Sequence, residues 1–320
     1  MVLNKISDNL VILVLSYNRV KKLKRSLESI KKGTHCPYEV IVIDGGSTDG
    51  SREFLESYSG ITSIFQDRLI GPIKSLNQIW KNIDCRFTTW IDDDNEIVPD
   101  CLDQAIEILK TNISIGAVGL KMKDIVGPWA HRPYKGGLDV HSAMPFQHCV
   151  IRTDLLRSLG YANENYNYYI WNNDLTMSIL SAGKSAVYLK QIAILHDRGW
   201  VNSLTSIEQV RNYEIQKKMK ADSDTYKKRF ESFLNSSNRK FNPLKRLLTY
   251  NLTKRILFPR GNPGIWGLNS EDWNCLIKGR FIRITDPIEN IRNAYHLVQR
   301  IPENLLKSNE NPYGHLVNKI

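Results

Sequence analysis

The stretch Phe87-Thr88-Thr89-Trp90-Ile91-Asp92-Asp93-Asp94-Asn95 climbs through an apolar, β-branched run into three carboxylates and stops. β-Branched and aromatic residues suit a pleated surface, and so short an apolar run reads as a strand buried on both faces. Carboxylates crowded at the end of such a strand repel one another and lose hydration. They stay ionised cheaply only beside a cation. Asp92 and Asp94 each offer an oxygen to a hard ion such as Mg²⁺ or Mn²⁺, which leaves open positions for phosphate. The plainer alternative is a solvated acidic loop capping a helix after Pro99.

The flanking segments weigh against the plainer alternative. Leu10 to Leu15 is a six-residue apolar run that ends in Ser16-Tyr17-Asn18-Arg19. Val20, Leu23, Leu27 and Ile30 follow at helical spacing, and Gly33 is the expected stop. Val40 to Ile43 is a second buried strand, running into Asp44-Gly45-Gly46-Ser47-Thr48-Asp49-Gly50. Strand, helix and strand in this order imply a right-handed crossover and a parallel sheet. The alternation continues with a helix from Ser51, a strand near Ile61–Phe65, a helix through Ile73–Ile83, the Asp-tipped strand, a helix through Leu102–Leu109 and a strand at Ile115–Leu120. Ligands of open α/β sheets bind at the carboxyl ends of strands. Three polar clusters sit at such ends: Ser16 to Asn18, Asp44 with its glycines, and Asp92 to Asp94. Their convergence on one crevice is the functional signal.

Neither G-x-x-x-x-G-K-[ST] nor G-x-G-x-x-G describes the Asp44 loop. It reads as a tight turn with positive φ at Gly45 or Gly46. Asp44 suits a ribose hydroxyl or a base N–H. Periodicity fades from Lys121 to His148, where Trp129, His131, Tyr134, His141 and His148 lie among glycines and prolines without zinc-site spacing. Order resumes with a strand at Cys149–Ile151, a short helix to Gly160, an aromatic-rich stretch to Trp171, a helix through Leu175 to Gly183, and an apolar strand from Val187 to Leu195 that ends at His196. Asp174 reads as a helix N-cap or as a carboxylate pointing into the crevice.

Composition sets the class. The chain has 320 residues, 42% hydrophobic and 24% charged, as in an ordinary globular protein with a sizeable core. Five cysteines with no C-x-x-C pair argue against a disulfide framework or a zinc knuckle and fit a reducing compartment. Asp8 and Asn9 precede only the six-residue apolar run, which does not read as a leader, and no stretch is long enough to cross a bilayer. The expected location is cytoplasmic. Residues 1–204 hold 23 Lys+Arg against 22 Asp+Glu, whereas residues 205–320 hold 21 against 11. The expected organisation is therefore a catalytic domain over 1–204 and a basic, mainly helical extension over 205–320.

Leu15-Ser16-Tyr17-Asn18-Arg19, Ile43-Asp44-Gly45-Gly46-Ser47-Thr48-Asp49-Gly50, Ser75-Leu76-Asn77, Trp90-Ile91-Asp92-Asp93-Asp94-Asn95, Asp174-Leu175 nine residues before Gly183, and His196 come in an order that resembles a family-2 glycosyltransferase. The likeness covers about residues 9–200. It implies the GT-A fold, a Rossmann-like, mostly parallel α/β sheet flanked by helices, and inverting transfer from a nucleotide-sugar donor, a UDP-sugar by family frequency, to a glycan or lipid-linked acceptor. Ser16, Tyr17, Asn18, Asp44 and Asn77 would line the nucleotide pocket, with Asp49 nearby. Asp92 and Asp94 match the D-x-D that binds Mn²⁺ or Mg²⁺ and the diphosphate. Asp93 matches a position touching the donor, and His196 the C-terminal metal ligand. Where the family often shows Glu-Asp-x-Asp, this chain has Trp171-Asn172-Asn173-Asp174. Asn172 cannot accept a proton, so Asp174 is the expected base. Its loss should lower transfer by about 10²–10⁴-fold.

In the last third, Leu244, Leu247, Leu248, Leu252 and Ile256 fall near one helical face beside Lys245, Arg246, Lys254 and Arg255. Such a segment lies on an anionic membrane surface, placing the protein peripherally at an inner face, or packs on the catalytic domain. The basic tail also permits a nucleic-acid-binding protein, but no module or basic–aromatic repeat supports nucleic acid as a partner. Asn172 keeps a further alternative open, a nucleotide-binding family member with weak or no catalysis.

Overall fold

The computed structural model describes residues 10–127, 130, 146–167, 170–189, 191–198, 217–230, 283–284, 295–301 and 303–319. Trp129, His131, Tyr134, His141, the segment 235–256, Trp266 and Trp273 lie outside these residues.

The amino-terminal half alternates as its periodicity implies. β1 (Leu10–Ser16), α1 (Val20–Gly33), β2 (Tyr38–Asp44), α2 (Ser51–Ser57), β3 (Thr62–Phe65), α3 (Pro72–Trp80) and β4 (Phe87–Asp92) follow in turn. A short β5 (Asn95–Ile97) then leads into α4 (Cys101–Thr111), β6 (Ile115–Gly119) and β7 (Met122–Val126). The order continues through β8 (Cys149–Arg152), α5 (Thr153–Ser158), α6 (Trp171–Ser181), β9 (Ser185–Leu189) and β10 (Ile194–Asp197). Beyond these, residues 217–230 form a helix, α7. β11 (Arg283–Ile284), β12 (Tyr295–Arg300) and α8 (Glu303–Leu306) complete the described elements, with a 3₁₀ turn at Gly314–Leu316.

The main sheet has the order β11-β12-β9-β6-β8-β4-β1-β2-β3. β3, β2, β1 and β4 pair in parallel, as do β6 and β9. β8 runs antiparallel between β4 and β6, and β12 antiparallel beside β9. The expected mostly parallel sheet holds over the seven strands from β9 to β3. Register matters most for function. Ser16 pairs with Asp44 and Leu15 with Asp92, so the carboxyl ends of β1, β2 and β4 stand level.

Successive side chains point to opposite faces of a strand, and both faces are filled. Val11, Leu13, Ile41, Ile43 and Trp90 pack with α3, α5 and α6, while Leu10, Ile12, Val14, Val40 and Ile91 pack with α1, α2 and α4. Phe87, Trp90 and Ile91 are buried, each contributing about 1.5–3 kcal/mol relative to exposure. That sum fixes β4 firmly enough to hold three acids at its tip. Trp80 meets Trp90 edge to face, with ring centroids 5.8 Å apart, and Trp90 lies 5.0 Å from Trp171. Tyr226, Phe230, Ile301, Leu305 and Tyr313 join the same core as α3 and α6. Residues of segments 217–230 and 301–319 thus contribute to the core of the amino-terminal part.

Gly33 is the last residue of α1, as expected, without a left-handed conformation; a Cβ there would stand 3.1 Å from Pro99 Cα. The positive φ of the Asp44 loop falls at Gly46, as expected, and also at Gly50. One local expectation is corrected: the single strand expected over Val187–Leu195 is two strands in different sheets, Ser185–Leu189 and Ile194–Asp197, with the Ala193 and Ile194 N–H groups donating to the Lys121 carbonyl. β10 sits between β5 and β7 in a small second sheet.

Candidate active site

The level strand ends open on a crevice of about 560 Å³ lined by Ser16, Tyr17, Arg19, Gly45, Leu69, Ser75, Asp92, Asp93, Asp94, His148, Trp171, Asn172, Asn173, His196, Arg198 and Met219. The three clusters expected to converge do so.

Asp93 is the hub. Its Oδ2 accepts from Ser16 Oγ at 3.2 Å and Tyr17 N–H at 3.1 Å, and its Oδ1 from Arg19 Nη1 at 2.9 Å. Burial raises its carboxyl to about 6 against the pull of Arg19. The same Arg19 Nη1 donates to Asp94 Oδ2 at 2.9 Å. Burial opposes ionisation of Asp94, yet His196, Arg19 and Lys22 together hold it below the ordinary carboxylate value. Asp92 stands apart, with 47% of its side chain open to the crevice. The surrounding walls and the charge of Asp94 push it up to about 6.

The small sheet sets the far wall. Register places His196 opposite Asn95 on β5 and Asp124 on β7. His196 Nδ1 donates to Asp124 Oδ1 at 2.7 Å, which leaves Nε2 facing Asp94 Oδ1 at 3.6 Å. Burial lowers the imidazole's affinity for a proton, but the two carboxylates outweigh it and raise its pKa to about 9. His148 donates from Nδ1 to the Trp90 carbonyl and accepts from Asn95 Nδ2 at 2.9 Å, with Asp92 Oδ2 at 3.7 Å. Burial and the nearby His196 drop it to about 4.

Asp44 is fully buried beneath the Gly45 turn. Its Oδ2 accepts the Gly46 and Ser47 N–H groups at 3.2 and 3.0 Å, while Oδ1 has no hydrogen-bond partner among the described residues. Ile43 and Gly45, on either side of it, line the crevice. Leu69, 54% exposed, overlies Gly45. Asn18, at φ +53°, does not line the crevice. It braces the turn, its N–H donating to Ser47 Oγ and its Oδ1 accepting the Thr48 N–H. Asp49 accepts from the first N–H groups of both α1 and α2, Val20 at 2.8 Å and Ser51 at 3.1 Å.

Besides Asn18, two expected site residues sit outside the crevice lining. Asn77 is buried on the far side of α3, where it clamps Ala162 N–H and C=O and reaches Glu164; Ser75, two residues earlier, faces the crevice instead. Asp174 is turned away from the crevice, its Oδ2 accepting from Tyr166 Oη at 2.8 Å and paired with Arg229 Nη1 at 3.1 Å. The helical turn explains this. Asn172 and Asn173 open α6 on the crevice side, and Asp174 comes one step round onto α7. Reasoning from sequence also passed over Arg19, Asp124, Asn95 and Gln66, which bonds Ser75. Arg19 carried a signal, a cation immediately after a strand end that faces an acidic one.

The donor set suits a hard divalent ion. A metal-bound histidine commonly donates its other ring N–H to a carboxylate, as His196 does to Asp124, and its second nitrogen, Nε2, faces the Asp94 carboxylate. Their 3.6 Å gap is too long for a hydrogen bond. Among the described residues, no three His, Cys, Asp or Glu side chains converge as placed into an ion cage.

Comparison with known proteins gives this crevice a class. Residues 11–159 match the family model Glycosyl transferase family 2. An uncharacterized glycosyltransferase of Nostoc sp. is 25% identical over 112 residues, 33% of this chain and 34% of that protein. A putative teichuronic acid biosynthesis glycosyltransferase of Bacillus subtilis, TuaG, is 24% identical over 98 residues, 29% of this chain and 39% of that protein. The matches thus span about a third to two fifths of these relatives' lengths. The crystal structure of S. aureus TarS superposes with a TM-score of 0.52 at 18% identity, covering 79% of this chain and 44% of that one. TarS residues 1–349 in complex with UDP-GlcNAc give 0.50 at 17% identity, covering 84% and 79%. The fold is of the GT-A type, and residues 11–159 carry the sequence pattern of family-2 glycosyl transferases.

Proposed function

We propose that the crevice binds a nucleoside-diphosphate sugar, a UDP-sugar, and that the protein transfers the sugar to a hydroxyl of a glycan or lipid-linked acceptor with inversion. The observation that carries this reading is the register Ser16–Asp44 and Leu15–Asp92, which sets three polar strand ends around one crevice with an unpartnered Asp44 oxygen beneath it. A buried acceptor without a donor costs about 1–3 kcal/mol, which a base or ribose N–H or O–H would relieve once Leu69 moves aside. Tyr17 and Leu69 offer apolar area to the base. The binding of UDP-GlcNAc by a protein of the same fold supports a UDP donor.

Asp92, Asp94 and His196 would hold Mn²⁺ or Mg²⁺, with Asp124 orienting His196. When bound, such an ion supplies Lewis-acid stabilisation of the departing diphosphate. Asp93 holds Ser16, Tyr17 and Arg19 in place around it. Asp92→Asn and Asp94→Asn should each lower release of UDP from a UDP-sugar in the presence of Mn²⁺ by at least about 10²-fold. Wild-type turnover in both would sink the assignment.

One observation favours a second reading, nucleotide binding with little transfer. On the α6 side the crevice presents the amides Asn172 and Asn173, and an amide does not take a proton. Tight UDP binding with UDP-sugar turnover no faster than the uncatalysed rate across acceptor glycans would establish it.

A further inference from the structure

Arg19 ends the polar turn after β1 and lines the crevice with 35% of its side chain open. A guanidinium is permanently charged and carries five N–H donors in a planar fork. Among the described residues one of its nitrogens is engaged: Nη1 donates to Asp93 Oδ1 and to Asp94 Oδ2, both at 2.9 Å. Among the described residues, no acceptor meets Nε or Nη2. Asp93 is in turn pinned by Ser16 Oγ and the Tyr17 N–H, so the anchoring end of the fork is held by two strand ends. A cation fixed at one nitrogen, with its remaining edge open to a polar crevice, has the chemistry of an oxyanion clamp, since planar forks match phosphate oxygens two at a time.

We propose that Arg19 is a diphosphate-binding residue of the donor site. It is anchored through Nη1 on Asp93 and Asp94, and its Nε–Nη2 edge receives the phosphate oxygens. This rests on the nucleotide-sugar reading of the crevice, and it makes part of the phosphate affinity independent of any bound ion. The guanidinium also balances the two acids before the donor arrives, so the triplet need not lose its charge in the empty crevice.

The test is calorimetric titration in EDTA of wild type, Arg19→Met and Arg19→Lys with UDP, uridine and inorganic pyrophosphate, each variant first checked for a cooperative thermal transition. In wild type, UDP should bind more tightly than uridine. Arg19→Met should weaken UDP and pyrophosphate by roughly 10–100-fold, the scale of charge-assisted hydrogen bonds, while uridine is unmoved. Arg19→Lys still neutralises Asp93 and Asp94 but has no second edge, so it should fold like wild type and recover only part of the UDP affinity. Equal losses of uridine and UDP would mark a collapsed turn and overturn the proposal, as would unchanged UDP affinity in Arg19→Met. Arg19-dependent pyrophosphate binding without uridine or UDP binding would uphold the clamp and refute the nucleotide reading. Uridine bound as tightly as UDP would keep the nucleotide reading and overturn the clamp. A wild type that binds none of the three would overturn both.

Discussion

Asp174 offers the sharpest contrast between what the sequence suggests and what the structure does with a residue. Only 3% of it is exposed, and three groups claim it: Tyr166 Oη at 2.8 Å, Arg229 Nη1 at 3.1 Å and Ser178 Oγ at 3.3 Å. Asp174→Ala would leave a phenol and a guanidinium facing an empty space. Removing one partner of a buried ion pair costs about 3–5 kcal/mol. Arg229 keeps 27% of its side chain exposed and can be partly rehydrated, so the low end applies, about 3 kcal/mol. At about 2–4 °C per kcal/mol for a chain of this size, the melting temperature should fall by about 6–12 °C. Arg229 also bonds Tyr313, so the loss should loosen α7 and the 303–319 segment together. The assay is thermal unfolding of Asp174→Ala, Arg229→Met and the double variant. A coupling of about 1–3 kcal/mol between the two sites is expected. Asp174→Asn with wild-type stability and transfer lowered by about 10²–10⁴-fold would refute this reasoning and restore Asp174 as the base.

The remaining predictions concern the rest of the site. His196 binds a proton more tightly folded than unfolded, its pKa being raised to about 9 by Asp124 and Asp94 despite burial. Metal-free stability from this group should be complete below about pH 6.5 and lost as the pH rises through about 9, a swing of about 3 kcal/mol that His196→Asn abolishes; a flat wild-type profile there would contradict it. Asn77→Ala removes three hydrogen bonds to Ala162 and Glu164 and should cost about 1–3 kcal/mol of stability with UDP affinity unchanged, measured by denaturation and titration. On the proposed reading, in which the buried Asp44 oxygen accepts from the nucleoside, Asp44→Ala should weaken uridine and UDP alike by roughly 10-fold or more in titration.

Most of the main sheet was legible because its strands are buried on both faces and read as continuous apolar runs, and its helices carry clean 3.6-residue spacing. The small sheet was not. β5 and β7 are three and five residues long, and their Asn95, Glu96, Lys123 and Asp124 break the apolar pattern. Lys190-Gln191 marked the break before β10, but the apolar residues on both sides masked it. Register places strand ends, so Ser16 and Asp92 line the crevice, with Asp44 buried beneath it. Helix faces are harder to read, because a shift of one residue turns a side chain by about 100°. Asn77 and Asp174 missed the crevice for this reason, while Ser75, Asn172 and Asn173 reached it. The second layer around His196 stayed hidden because Asp124 reaches it only through pairing between strands 70 residues apart. On the membrane, the described residues say one thing: no helix among them is long and apolar enough to span a bilayer.

The central claim is that the level ends of β1, β2 and β4 form a site for a nucleoside diphosphate. Thermal unfolding of the full chain with UDP, GDP and dTDP, each with Mn²⁺ and with EDTA, tests it most directly. A ligand at a hundredfold its dissociation constant adds about 2.7 kcal/mol, a rise of about 5–10 °C here. UDP should give that rise, larger with Mn²⁺ than with EDTA, and Asp92→Asn/Asp94→Asn should remove the extra rise that Mn²⁺ brings. No shift with any nucleotide, with or without Mn²⁺, would contradict it and leave the aspartate triplet a charge-balanced turn.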